Sequence, residues 1–288
     1  MIRQSLVFPF REYLVPDLRG LSVVPRIETF DDVPAALNSL YAVGANPRCL
    51  LVESKMPLVN IRIIDGLGAV PIALYVPELG PLPEFLRLLP LLRQLNLRVY
   101  MPAAGEGNMT SLRILSSLGI ETAVLFQGGE PDWDDLSDLM TYAFFGQMPH
   151  APIAPFGYLL DNFDQRGRSE FGVVYFDDPR SYLHLDEKGH VALTNMDLKK
   201  GQFLAESIDE LGDDVESQKP YDARLEDWRE HFLRFDQCST CPGWRACSGW
   251  FGRERQPDDS CRKFCSELLN NLETSSLSRR EPLTVWRP

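Results

Sequence analysis

Residues 97–126 read LRVYMPAAGEGNMTSLRILSSLGIETAVLF. Leu97-Arg-Val-Tyr-Met101 is a short apolar run of the buried-strand type. Asn108 is placed to cap a helix over Met109 to Leu118, because its side-chain oxygen can accept from the open N–H groups of a first turn. Gly119 stops that helix, and Ile120 to Phe126 is again strand-like. Two such strands joined by a helix form a βαβ unit, which demands parallel pairing.

The same alternation extends outward from about residue 21 to 145. Leu21 to Ile27, Cys49 to Glu53 and Pro71 to Val76 read as strands. Asp32 to Val43 carries a helical apolar stripe, Leu58 to Leu67 suits a short helix, and Glu84 to Leu95 suits a helix with a break at Pro90. Asp132 or Asp134 can cap a helix running to Phe145. About five βα units fit, so the fold class is α/β, a parallel βα-repeat domain. It closes as a partial or small barrel or lies open as a doubly wound sheet. Such repeats carry no function by themselves.

Beyond residue 145 the pattern changes. Gly146 to Pro155 is proline-rich and Asp161 to Gly167 is polar, which suits a boundary. Gly172 to Phe176 reads as a strand. Tyr182 to Asp186 and His190 to Thr194 flank the turn Glu187-Lys-Gly189 as a β-hairpin. Leu204 to Leu211 is amphipathic, Gly212 to Lys219 is an acidic loop, and Leu225 to Leu233 is a helix. The expected domains are residues 1–170, residues 171–272 and a flexible tail over 273–288.

The chain has 288 residues, 44% hydrophobic and 24% charged, as for an ordinary globular protein. With 29 basic and 41 acidic residues the net charge is −12, which argues against binding along a nucleic-acid backbone. The first apolar run is broken by Arg11 and Glu12, and no run is long enough to cross a membrane. The expectation is a cytoplasmic protein with no membrane partner, where thiols stay free or bind metal.

Five of the six cysteines, Cys238, Cys241, Cys247, Cys261 and Cys265, fall within 28 residues, spaced C-x2-C-x5-C-x13-C-x3-C. Zinc commonly takes two C-x2-C pairs, and only Cys238 and Cys241 form one. An iron–sulfur cluster takes four thiolates and tolerates uneven spacing, because its ligands wrap a cube rather than an ion. Cys238, Cys241 and Cys247 would supply three ligands and Cys261 or Cys265 the fourth. Arg245, Arg262 and Lys263 adjoin them, with Arg253 and Arg255 between, and could offset thiolate charge or be plain surface. Cys49 begins an apolar strand and reads as core.

From Tyr182 to Cys265 the sequence resembles the SPASM domain, the auxiliary-cluster domain of radical-SAM peptide-modifying enzymes. The resemblance rests on Asp186-Glu-Lys-Gly189-His-Val191, on Cys238-Ser-Thr-Cys241-Pro242 and on Cys247-Ser-Gly249. It implies a small α+β iron–sulfur domain beside a degenerate TIM-like barrel. The family's first auxiliary cluster uses cysteines where this chain has Thr194 and Phe251, so the resemblance implies one [4Fe–4S] cluster, with Cys265 the better fourth ligand and Cys261 its rival. The radical-initiating C-x3-C-x2-C loop is missing, since residues 1–237 hold only Cys49. No S-adenosylmethionine cleavage is therefore expected, although Gly128-Gly129-Glu130-Pro131 is similar to the segment that grips that cofactor's amino group.

The expected function is an accessory, non-catalytic iron–sulfur protein, partner of a radical-SAM maturase or its ribosomal precursor peptide. One alternative is an enzyme that binds a small substrate around Glu53-Ser-Lys55, Pro102 to Asn108 and Gln127 to Glu130, with Glu53, Glu106 and Glu130 as acid/base candidates. The other is a zinc-stapled interaction module. Gly66-Leu-Gly68 lacks the third glycine of a dinucleotide fingerprint, and Gly105-Glu-Gly107 lacks the residues of a phosphate loop. His184 and His190 flank one turn, while His150 and His231 lie apart from them.

Overall fold

The computed structural model of the chain describes residues 4–64, 67, 70–126, 129–163, 171–211, 219–247, 249–252 and 257–280. Its strands are β1 (Ser5–Pro9), β2 (Ser22–Ile27), β3 (Asn46–Pro47), β4 (Leu50–Glu53), β5 (Ile72–Tyr75), β6 (Leu97–Pro102), β7 (Glu121–Leu125), β8 (Ile153–Ala154), β9 (Tyr182–Leu185) and β10 (Val191–Ala192). Its helices are α1 (Val33–Val43), α2 (Leu82–Leu92), α3 (Asn108–Ser117), α4 (Trp133–Phe145), α5 (Phe156–Asn162), α6 (Asn195–Lys200), α7 (Lys219–Arg234), α8 (Asp236–Ser239), α9 (Trp244–Cys247) and α10 (Asp259–Arg280). None of the described helices is long and apolar enough to cross a membrane.

The strands form one sheet in the order β10-β9-β1-β2-β4-β5-β6-β7-β8, with β3 beside β2. Every pairing is parallel except β9 with β10. From β1 to β8 the spatial order follows the chain order, so the doubly wound alternative, which needs a reversal of strand order, does not hold. Right-handed crossovers that step in one direction place their helices on one side of a sheet.

Register separates the two faces. Val52 pairs with Leu74, Leu74 with Val99, and Met101 with Val124. These side chains are fully buried, in the same core as Leu37 of α1, Phe85 of α2, Leu112 of α3 and Leu136 of α4. Each such side chain contributes on the order of 1.5–3 kcal/mol on leaving water. The opposite face carries Val7, Arg26, Leu51, Glu53, Tyr75 and Tyr100 and is more polar. Over it the chain lays a short 3-10 segment, Phe171–Tyr175, where Gly172 to Phe176 reads as a strand in the sequence. Two phenols fix this segment: Tyr100 donates to the Val174 carbonyl (2.8 Å) and Tyr175 to the Val124 carbonyl (2.7 Å). Burial alternates along it because of these contacts, not because of a pleat.

Other local expectations are corrected. Asn108 does not cap α3. Its amide is buried, 1% exposed, and donates to the carbonyls of Pro77 (2.9 Å) and Pro102 (3.0 Å), tying two loops together. Pro90 does not break α2, which continues to Leu92. The carbonyl it deprives belongs to Leu86, a residue exposed to solvent, so water can replace the lost bond. Leu58 to Leu67 yields one 3-10 turn, Leu58–Asn60. In the amphipathic stretch Leu204 to Leu211, Ala205 bridges Val191 and a 3-10 turn covers Ile208–Glu210. The proline-rich stretch holds β8 and leads into α5. Asp132 does cap α4, accepting from the N–H groups of Asp134 (3.0 Å) and Asp135 (3.1 Å).

The sheet runs across the boundary expected near residue 170. Strand β9 is parallel to β1, with Leu183 opposite Leu6, and the hairpin thereby extends the first sheet. Helix α10 packs on α4 and α5 and continues through residues 273–280, where a flexible tail was expected. Gly66, Gly68, residues 164–170, the acidic stretch 212–218 and residues 281–288 lie outside the described residues.

Candidate metal centre

Helix α7 leads the chain to Phe235, whose carbonyl accepts from Cys238 (2.9 Å) and Ser239 (3.0 Å) and so starts the single turn of α8. Cys241 follows, bonded through its N–H to the Cys238 carbonyl (3.2 Å). The turn Pro242-Gly243 opens α9, which ends at Cys247. Gly243 lies against the backbone of Cys265: a Cβ built there would collide with the Cys265 carbonyl. Asp258 then accepts from the Cys261 N–H (2.7 Å) and starts α10. Cys261 and Cys265, one turn apart, share a face of that helix.

These short elements bring the thiols together. Cys265, 1% exposed, lies close enough to interact with the thiols of Cys241, Cys247 and Cys261. Those neighbours, and then burial, hold its pKa well above the ordinary thiol value. Cys241 is lowered to about 6, first by the neighbouring Cys265 thiol, helped by the N–H groups of Gly243 and Trp244 and by the charge of Arg262, against its burial. Cys247 is also lowered: burial alone would raise it, but Cys265 and the N–H groups of Phe251 and Gly249 prevail. Cys238 is pushed up to about 12 by burial and by the negative charge of Cys247, Cys261 and Cys241. Its Sγ lies 4.0 Å from Nε2 of His231.

Backbone donors aimed at the sulfurs and a cationic Arg262 are what a thiolate-ligated group needs. The residue types present thus have the chemistry such a group requires. No trio of His, Cys, Asp or Glu among the described residues is arranged round a single metal ion. Mutual interactions nonetheless link Cys238, Cys241, Cys247, Cys261 and Cys265. Arg253 and Arg255 lie outside the described residues.

Thr194 and Phe251 have structural work. Thr194, fully buried, caps α6: its hydroxyl donates to Asp197 Oδ2 (2.6 Å) and accepts from the Asp197 N–H (3.2 Å). Phe251, 1% exposed, lies edge-on to Phe126 at 4.3 Å and to Phe264 at 5.5 Å. The hairpin motif has an equally local cause. Asp186 Oδ1 accepts from the N–H groups of Lys188 (2.8 Å) and His190 (2.9 Å), and Gly189 supplies φ 91°, a left-handed turn.

Beside the thiols a cavity of about 550 Å³ opens on the polar face of the sheet. Glu53 lies in its wall and meets Arg26 through both oxygens (3.0 and 2.9 Å). Glu106 and Glu130 are exposed and do not line it, so the three acid/base candidates are not brought together. Gln127 and Gly128 lie outside the described residues, and the turn beyond them shows Gly129 at φ 142° against the Ala104 methyl. His184 is buried with its Nε2 at 2.9 Å from the Phe176 carbonyl, whereas His190 lies between Asp186 (2.8 Å) and Glu206 (3.2 Å). His150 packs on Tyr142. Cys49 is half-buried at the start of β4, its pKa pushed up to about 11 by burial.

Of the small-substrate site read from the sequence, Glu53 does line this cavity, but the contributions of α6 and α7 were not marked, because those helices lie far along the chain. No family model matches the chain, and no curated protein matches it.

Proposed function

We propose that the chain is an accessory iron–sulfur protein that holds one [4Fe–4S] cluster and serves a radical-SAM peptide-modifying enzyme or its precursor peptide. The observation that supports the cluster is the convergence of five cysteines, four of them buried, with the Cys265 thiol interacting with Cys241, Cys247 and Cys261. Ligands are drawn from Cys238, Cys241, Cys247, Cys261 and Cys265, and the place of Cys265 among the others favours its inclusion. A cluster bound by four thiolates supplies one-electron transfer or structural stapling. The protein's own part is to set the thiols: α10 presents two on one face, Gly243 lets the C-x2-C-P loop approach that helix, and Arg262 favours the thiolate of Cys241.

The accessory role rests on two further supports. The parallel strands in sequential order are the winding expected of a degenerate barrel. Thr194 and Phe251, at positions where a second cluster would need thiolates, are committed to a helix cap and to an aromatic core. The sequence also lacks the radical-initiating C-x3-C-x2-C loop.

Anaerobic purification followed by iron and sulfide analysis tests the cluster. About four iron and four sulfide per chain are expected. A single zinc and no sulfide would replace this reading with the zinc-stapled module. Affinity capture with a radical-SAM enzyme or precursor peptide encoded beside this chain tests the partnership, and no enrichment of either would overturn it.

A further inference from the structure

We propose that the cavity beside the thiols binds a small organic anion with a flat, apolar body. Its volume, about 550 Å³, is the size of a site for a small molecule rather than for a folded partner. Two features of the wall define the ligand.

The first is charge. Arg26, Lys199, Lys200 and Arg234 line the cavity, against Glu53, Asp177 and Glu230. Arg26 is neutralised by its two-oxygen contact with Glu53. Asp177 lies 3.7 Å from Nε2 of His184. Lys199, Lys200 and Arg234 then face Glu230, a positive excess in a chain of net charge −12. Neither lysine has a carboxylate partner among the described residues. Basic residues in the last turn of a helix are ordinary, because they offset the partial negative charge there. Here two helices, α6 and α7, end their basic turns at one mouth, and three full charges exceed two helix-end half-charges.

The second is the aromatic content of the wall, with Tyr75, Phe126, Tyr175, Phe176, Phe235 and Trp250. Tyr175 and Trp250 are stacked, 5.2 Å apart with 19° between their planes. The Tyr175 hydroxyl is spent on the Val124 carbonyl, so this residue offers its ring rather than its oxygen. Flat apolar surface recognises flat apolar ligand, and the cationic mouth selects an anion over a neutral or cationic analogue. Phosphate and carboxylate share this chemistry.

Isothermal titration of the full chain with 1-naphthyl phosphate, 1-naphthoate, 1-naphthol, 1-naphthylmethylammonium and inorganic phosphate tests the site. At least one naphthyl anion should bind ten-fold or more tighter than naphthol, the ammonium analogue and inorganic phosphate. The preferred anion identifies the head group. The double variant Lys199→Ala/Lys200→Ala removes exposed side chains and should keep the parent melting temperature while weakening anion binding five-fold or more. Arg234→Gln should weaken it similarly. Equal binding of naphthol, unchanged anion affinity in the double variant, or no binding by any naphthyl probe would each overturn the proposal. None of these outcomes depends on iron content, so they stand apart from the test of the cluster.

Discussion

Cys49 and Cys241 carry the same thiol in two regions built on opposite rules. Cys49 opens a strand of a sheet made by apolar burial, and burial pushes its pKa up to about 11. Cys241 belongs to short turns held by donors, and a neighbouring thiol, two backbone N–H groups and Arg262 bring it down to about 6. The sheet excludes water and so disfavours charge. The thiol group is also largely buried, yet Cys241 and Cys247 are held toward their charged form. The sheet satisfies its own groups, whereas the thiols form the site that the proposed cluster would occupy.

The largest effect that could break this contrast is chemical. In metal-free protein at about pH 7.5, Cys241 is mostly thiolate while Cys49 is ionised to less than about one part in a thousand, each pKa unit being a tenfold change. Alkylation mapped by mass spectrometry should therefore modify Cys241 at least a hundred-fold faster. The Cys241 rate should rise through about pH 6 and then level, and that of Cys49 should still be rising at pH 9. Comparable rates at neutral pH would erase the difference between the two regions. Cys265→Ser comes next. It removes the thiol that interacts with three others, and iron content should fall from about four per chain to near zero. Retention of full iron in Cys265→Ser, with loss in Cys238→Ser, would move the centre of the group to the His231 side.

Much of the sheet was legible because its strands are buried by simple periodicity. Leu50–Glu53, Ile72–Tyr75, Leu97–Pro102 and Glu121–Leu125 all lie where apolar runs marked them. Strand β1 was missed although Ser5–Pro9 is apolar. Its five residues end in a proline and stand alone before the repeats, and its central position comes from pairing with β9, far along the chain. The segment after residue 170 misled for the opposite reason. Its alternation imitates a strand, but Phe176 takes φ 57° and the Asp177 N–H returns to the Gly172 carbonyl. Helix α6 did carry a local mark, Thr194 three residues before Asp197, which is a capping pattern. The five cysteines were legible as a set. That Cys265 sits among three of them was not, since it depends on where α10 docks.

The two substituted positions separate core from cap, and they sharpen the comparison on a smaller scale. Phe251→Ala would empty the space between Phe126 and Phe264 and should cost about 3–5 kcal/mol in a denaturant melt. The damage should spread to the sheet, because Phe126 directly follows β7.

Thr194→Ala is the smallest effect and the most local. It removes one helix cap: the Asp197 N–H loses its acceptor and the Asp197 carboxylate loses a donor at 2.6 Å. The expected loss is about 0.5–2 kcal/mol. Thr194→Ser keeps the hydroxyl and should restore most of it. The iron content of Thr194→Ala should equal that of the parent, because Thr194 serves α6 rather than the thiols. A drop in iron without a drop in melting temperature would mean that the hairpin end is coupled to the thiol group, and that the two regions are less separate than Cys49 and Cys241 make them.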